Sequence, residues 1–161
     1  SRGRVHSMAL VHDRLYNSNE MSSIEFSQYI NDMVSDLSKG ISDTTDIRFE
    51  TDIKKVQLGI DKAIPIGLMV NELITNSLKY AFPDQKSGII RISLDYTSNK
   101  QYILTVKDTG IGMPEHVDPE HPKSVGLQLI QGLAQQINAS LQFSSNEGTM
   151  VVVKWSDNEN E

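Results

Sequence analysis

Two short segments constrain the fold more than anything else in this chain. Residues 89–96 and 102–107 alternate apolar and polar side chains on either side of a turn at 97–100. That is the pattern of an antiparallel hairpin with one apolar face. A sheet that is apolar on one side has to bury that side, and the helix-period segments elsewhere in the chain supply the cover. Strands at 141–144 and 150–155, joined by a turn containing Asn146 and Gly148, are expected to close the sheet, and two more strands are expected at 47–51 and 55–58. The expected class is α/β in the α+β sense, a mostly antiparallel sheet with helices on one face.

The helical segments are read from three- and four-residue spacing. Val5, Met8, Ala9, His12, Leu15 and Tyr16 form one apolar stripe that ends at Asn17-Ser18-Asn19. A second helix starts with Ser22 or Ser23 as N-cap, carries Ile24, Phe26, Tyr29, Ile30, Met33, Val34 and Leu37 on its apolar face, and ends at Gly40. A third has Pro65 in its first turn and runs to about Phe82, where Pro83 stops it. A fourth, at 125–137, follows a loop at 108–123 containing Gly and Pro. The 161 residues, 38% of them hydrophobic, suffice for one compact domain. We expect a helical piece at 1–20, a main domain at 21–156 and a frayed acidic tail at 157–161.

Composition removes several function classes. With 15 basic against 21 acidic residues and no basic stripe, the chain is not expected to bind nucleic acid. Without cysteine it has no thiolate nucleophile, disulfide or cysteine-based zinc site. Its apolar runs, such as 63–70, are too short for a bilayer and are broken by Pro65 and Gly67. No secretory signal opens the chain, so a cytoplasmic location without membrane contact is expected.

Four segments carry chemistry. In Asn71-Glu72-Leu73-Ile74-Thr75-Asn76-Ser77-Leu78-Lys79-Tyr80, a pitch of about 3.6 residues per turn puts Glu72, Asn76 and Lys79 in a narrow arc. Ile66, Met69, Val70, Leu73, Ile74 and Ala81 lie opposite. A carboxylate, a carboxamide and an ammonium together suit a magnesium-bound polyphosphate, although a solvated Glu–Lys helix face would look the same. Asp108-Thr109-Gly110-Ile111-Gly112 falls where a strand ends in a loop. Its glycines permit close backbone approach, and Asp108 suits an exocyclic amino donor; an ordinary Asp–Gly turn is the plainer account. Ser124-Val125-Gly126-Leu127 opens an amphipathic helix and either binds an anion or simply caps. Gly148-Thr149 is a turn into a β-branched strand.

Each signal is modest, but their order and spacing together are specific. Over roughly residues 46–155 the chain resembles the ATP-binding catalytic domain of sensor histidine kinases, in the superfamily that also holds gyrase, MutL and the heat-shock chaperone ATPases. Residues 71–80 match its N box, 108–112 its first glycine box, 126–129 its second and Gly148-Thr149 its last. Residues 8–18 are similar to the second helix of the dimerisation hairpin in one subgroup. That subgroup's phosphoacceptor box, H-R-V-K-N-N-L, is absent, so the chain is expected to begin after the acceptor histidine.

The resemblance implies a two-layer sandwich of the Bergerat type, with ATP held between the N-box helix and a lid at 112–123. It implies that Asn76 coordinates Mg²⁺, Lys79 contacts phosphate and Tyr80 borders the nucleotide. Asp108 would bind the adenine amino group. Gly110, Gly112, Gly126 and Leu127 would pack backbone against base and phosphates, and Thr149 would sit by the adenine. Glu72 stands where ATPase relatives carry a general base, and here would orient or polarise the attacking imidazole. The implied partners are a phosphoacceptor hairpin of the same protein or a dimer mate, a response regulator, and a second copy in a homodimer. Two other readings stay open: a module that binds ATP without transferring it, and a serine kinase of the anti-sigma type. His6 and His12 are read as helix packing, and His116 and His121 as loop residues.

Overall fold

The computed structural model describes residues 23–41, 45–83 and 87–156. The stripe at 5–16 with His6 and His12, a cap at Ser22 and the tail at 157–161 lie outside the described residues.

The hairpin forms as its alternation requires, and the sheet grows around it. Strand β4 (Ser87–Tyr96) pairs antiparallel with β5 (Gln101–Asp108), and β5 with β7 (Met150–Ser156), which pairs with β6 (Ser140–Ser144). On the other side β4 pairs in parallel with β2 (Asp46–Ile53), giving the order β2-β4-β5-β7-β6. Registers such as Ile92↔Val106 and Leu104↔Val153 put one row of apolar side chains on one face. Ile90, Ile92, Leu94, Leu104, Val106, Val151 and Val153 on that face are all buried, while Arg91, Asp95 and Lys107 on the other are exposed. The result is a mixed, mostly antiparallel sheet covered by helices on one face.

A separate ribbon pairs β1 (Ser23–Glu25) with β3 (Gln57–Gly59). It corrects the expected start of the next helix. Because Ser23 and Ile24 are committed to Gly59 and Leu58, helix α1 begins at Phe26 and runs to Ser38. Its N-cap is Glu25, whose carboxylate accepts the N–H groups of Ser27 (3.2 Å) and Gln28 (2.9 Å). An anion is favoured there by the helix dipole.

Helix α2 (Ile60–Asn76) starts five residues before Pro65, which therefore sits in the second turn rather than the first. The ring removes only the bond to the Asp61 carbonyl, a loss tolerated because the surrounding helix is held by packing. Ile66, Met69, Val70 and Ile74 are completely buried. Helix α3 (Val125–Gln136) lies beside α2, capped by Ser124, whose Oγ accepts the Leu127 N–H at 3.2 Å. The Lys62 ammonium of α2 donates to the carbonyl of Ile137 at the far end of α3 (3.1 Å). After Asn76 the helix continues as a π-turn, Ser77–Ala81, before Pro83. The end of α2, the last residue of β5 and the approach to β7 thus converge at one edge of the sandwich.

Candidate functional site

Asp108 ends β5 and is 2% exposed. Its backbone N–H still belongs to the sheet edge, donating to the Thr149 carbonyl at 2.9 Å. Its carboxylate is held by three donors: Oδ1 accepts from the N–H of Gly110 (3.0 Å) and Thr149 (3.1 Å), and Oδ2 accepts from the Ser77 hydroxyl (2.7 Å). A carboxylate buried this deeply survives only with such partners. The approach is so close that Gly148, at φ +107°, leaves no space for a Cβ, which would land on the Asp108 carbonyl oxygen. Both the left-handed φ and the contact require glycine there.

The loop after Asp108 is stitched to three elements. Thr109 and Ile89 exchange bonds at 3.1 and 3.0 Å, Ile111 N–H donates to the Ala81 carbonyl at 2.9 Å, and Met113 N–H to Ser145 Oγ at 2.7 Å. Gly110 lies directly against Ala81 of the π-turn, and Gly112 against Ser145. The first glycine box therefore contacts the end of the N-box helix.

The second convergence is between α2 and the opening turn of α3. A Cβ on Gly126 would stand 3.0 Å from Glu72 Oε2 and 3.7 Å from both amide atoms of Asn76. Glu72 is 4% exposed, while Asn76 is half-buried. The opening turn of α3 thus lies against the Glu72 carboxylate. Leu127, half-buried, has its N–H committed to the cap. These placements correct the reading of residues 71–80 as a solvated Glu–Lys face, because Glu72 is inside and Lys79 is outside. The π-turn is the cause: its longer-range hydrogen bonds turn less per residue than an α-helix, so Lys79 leaves the arc that a regular helix would give it. Tyr80 (67% exposed), Ile111 (61%) and Val125 (67%) stand on the rim.

The segment from 112 to 123 folds back on α3. Gln128 Nε2 donates to the Pro122 carbonyl (3.1 Å) and Gln131 Nε2 to that of Glu120 (3.3 Å). Within it, His121 Nδ1 pairs with Asp118 Oδ2 at 2.9 Å. The hydrogen bond to Asp118 raises the His121 pKa above its ordinary value, and the same bond lowers that of Asp118. Among the described residues no group of three His, Cys, Asp or Glu side chains is placed to hold a metal ion. Nor is any described helix long and apolar enough to cross a membrane.

Sequence reasoning missed two residues. Ser77 carries no signal beyond a hydroxyl following Asn76. Asn71, completely buried beside Glu72, has no hydrogen-bond partner for either amide atom among the described residues.

Chemically, the site offers a buried acceptor at the sheet edge, an amide and a carboxylate under a helix N-terminus, and an exposed ammonium on the rim. Comparison with known proteins identifies the family. Residues 61–159 match the family described as histidine kinase-, DNA gyrase B-, and HSP90-like ATPase. Residues 1–41 match a second family, described as histidine kinase. The chain is 32% identical over 106 residues to blue-light-activated histidine kinase 2 of Erythrobacter litoralis, covering 65% of this chain and 31% of that protein. It is 27% identical over 159 residues to the sensor histidine kinase PdtaS of Mycobacterium tuberculosis, covering 94% of this chain and 30% of that one. It thus spans about a third of these relatives' length. Among solved structures, the histidine kinase domain of the Erythrobacter litoralis EL346 blue-light activated kinase superposes with a TM-score of 0.85 at 26% identity, covering 95% of this chain and 77% of that one. The catalytic domain of histidine kinase ThkA shares the fold at a TM-score of 0.66, with 15% identity over 84% of this chain and 94% of that one.

Proposed function

Because the chain belongs to the histidine kinase-, DNA gyrase B-, and HSP90-like ATPase family, as the ATP-binding catalytic domain of a sensor histidine kinase, we propose that it binds Mg-ATP among α2, the 108–112 loop and the 112–123 segment, and passes the γ-phosphoryl group to a histidine on another segment or chain. The observation that carries this reading is Asp108: a buried carboxylate held by three donors, with one acceptor direction left on Oδ2. Such a group selects a ligand that presents a hydrogen-bond donor, as adenine does with its amino group.

The remaining roles follow from what each side chain is near. Gly110, Gly112 and Thr149 bring backbone and hydroxyl to the base side, and Tyr80 borders it. Gly126 and Leu127, at the opening of α3, offer the helix N-terminus to phosphate, and Lys79 adds a cation from the rim. The amide oxygen of Asn76 is a hard donor that suits Mg²⁺, an ion whose remaining positions phosphate oxygens and water would fill. When bound, that ion neutralises charge on the phosphates. Glu72 orients or polarises the incoming imidazole. A strong base is unnecessary, since an imidazole nitrogen is nucleophilic near neutral pH. The nitrogen–phosphorus bond forms as the bond to the β-phosphate oxygen breaks, and ADP leaves. We assign the acceptor to a dimerisation hairpin of the same protein or its dimer mate, with a response regulator as the next acceptor and a cytoplasmic site of action.

The test is calorimetric titration of ATP, with and without Mg²⁺, into the wild-type chain and the Asp108→Asn and Asn76→Asp variants. Saturable binding that collapses in Asp108→Asn, followed by transfer to a separately supplied acceptor hairpin, is the expected result. No binding to wild type would overturn the reading.

A further inference from the structure

We propose that Ser77 is a positioning residue that sets nucleobase specificity through Asp108, an inference that rests on the nucleotide reading above. Oδ1 of Asp108 accepts two backbone N–H groups, from Gly110 and Thr149, and is saturated. Oδ2 has one donor among the described residues, the Ser77 hydroxyl at 2.7 Å, and keeps one direction open. Both side chains are buried, Ser77 at 8% and Asp108 at 2% exposure.

Three consequences follow. An ionised carboxylate accepts only, so Ser77 must spend its proton on Oδ2 and cannot turn it toward a ligand. The open direction on Oδ2 is then fixed by three anchors on three elements: β5's own loop, the start of β7, and the π-turn. Ser77 is also the one side-chain donor on Oδ2 among the described residues, so its loss would leave that oxygen free to turn. A purine with a 6-amino group completes the carboxylate's hydrogen bonding. A purine with a 6-oxo group sets two acceptors face to face. Rejection of this kind, where a buried polar group is left unpaired, is the strong form of hydrogen-bond specificity.

The π-turn makes this contact possible. It begins at Ser77 and ends at Ala81, whose carbonyl accepts the Ile111 N–H at 2.9 Å. One irregular turn therefore holds the acceptor at one end and the glycine loop at the other, and the re-phasing that displaces Lys79 accompanies the Ser77–Asp108 bond.

The experiment measures dissociation constants for ATP and inosine triphosphate, which differ at the purine 6 position, on wild type, Ser77→Ala and Ser77→Thr. Thermal melting verifies that each variant is folded. Wild type is expected to prefer ATP. In Ser77→Ala Oδ2 loses its side-chain anchor and the carboxylate can turn its open direction away from a 6-oxo group, so the preference narrows by about tenfold. Ser77→Thr, which keeps the hydroxyl, restores it. Equal weakening of both nucleotides in Ser77→Ala, with the ratio unchanged, would show a purely structural serine and overturn the inference while leaving the nucleotide reading intact. Failure of wild type to bind ATP would overturn both.

Discussion

Two glycines of the same helix make the sharpest test of how the site is built. Gly126 and Gly132 both lie in α3, and each is replaced by alanine. At Gly132 an added Cβ meets nothing within 4 Å, and the residue is exposed. Alanine there gains helix propensity and restricts the unfolded chain, worth about 0.5–1 kcal/mol. In a chain of 161 residues that raises the melting temperature by roughly 2–4 °C. ATP affinity should not change. At Gly126 the same methyl arrives 3.0 Å from Glu72 Oε2, and Glu72 is too buried to swing away. Overpacking of about 1–3 kcal/mol offsets any propensity gain of up to about 1 kcal/mol, so the melting temperature falls slightly or stays level. The methyl also occupies the space above Glu72 and Asn76, where we place the phosphates. A loss of at least 1.4 kcal/mol in binding, about tenfold in Kd, is expected. Calorimetry and thermal melts on both variants decide it. If Gly126→Ala binds Mg-ATP like wild type, the phosphates do not lie against the opening of α3 and the reasoning is wrong.

Other consequences separate structural from chemical roles. Asp108→Ala strands the Ser77 hydroxyl and the N–H groups of Gly110 and Thr149, at a cost of about 3 kcal/mol or more. Asp108→Asn keeps both backbone bonds and lets Ser77 accept from the new amide, so urea titration should find it much the more stable of the two while ATP binding is lost in both. Lys62→Met removes the ammonium that meets the Ile137 carbonyl, and should lower stability by about 1 kcal/mol with ATP affinity unchanged, read by urea titration and calorimetry. The His121–Asp118 pair sets a pH window in the 112–123 segment. His121 is raised, so its contribution is complete below the ordinary histidine pKa and disappears as pH rises through the raised value. Asp118 is lowered, so its contribution disappears only in strong acid, as pH falls through the depressed value. An NMR titration of the His121 ring should show the raised midpoint, and Asp118→Asn should bring it back toward the ordinary value. High salt should reduce the shift, because both groups are exposed.

Much of the architecture was legible in residue patterns alone. Period-two alternation in β4, β5 and β7 predicts which side chains share a face, because the pleat enforces it regardless of neighbours. The apolar stripe of α3 with Ser124 before it, and the stop at Pro83, are equally local. So is the placement of residues 108–112 at the end of a strand and of 124–127 at the start of a helix. Tertiary structure decided what local pattern leaves degenerate. Whether Ser23 caps a helix or joins a strand depends on residue 59, far along the chain. Pro65 falls in the second turn because α2 is held by packing that a propensity argument does not see. The burial of Glu72 depends on α3 crossing it, and Lys79 is carried out of its arc by a π-turn that regular periodicity does not predict. Asp108 becomes a fixed acceptor only when residues 77, 110 and 149 are brought around it. A side chain's type is a property of its position in the chain. Its burial, and the number of donors that reach it, are properties of what folds against it.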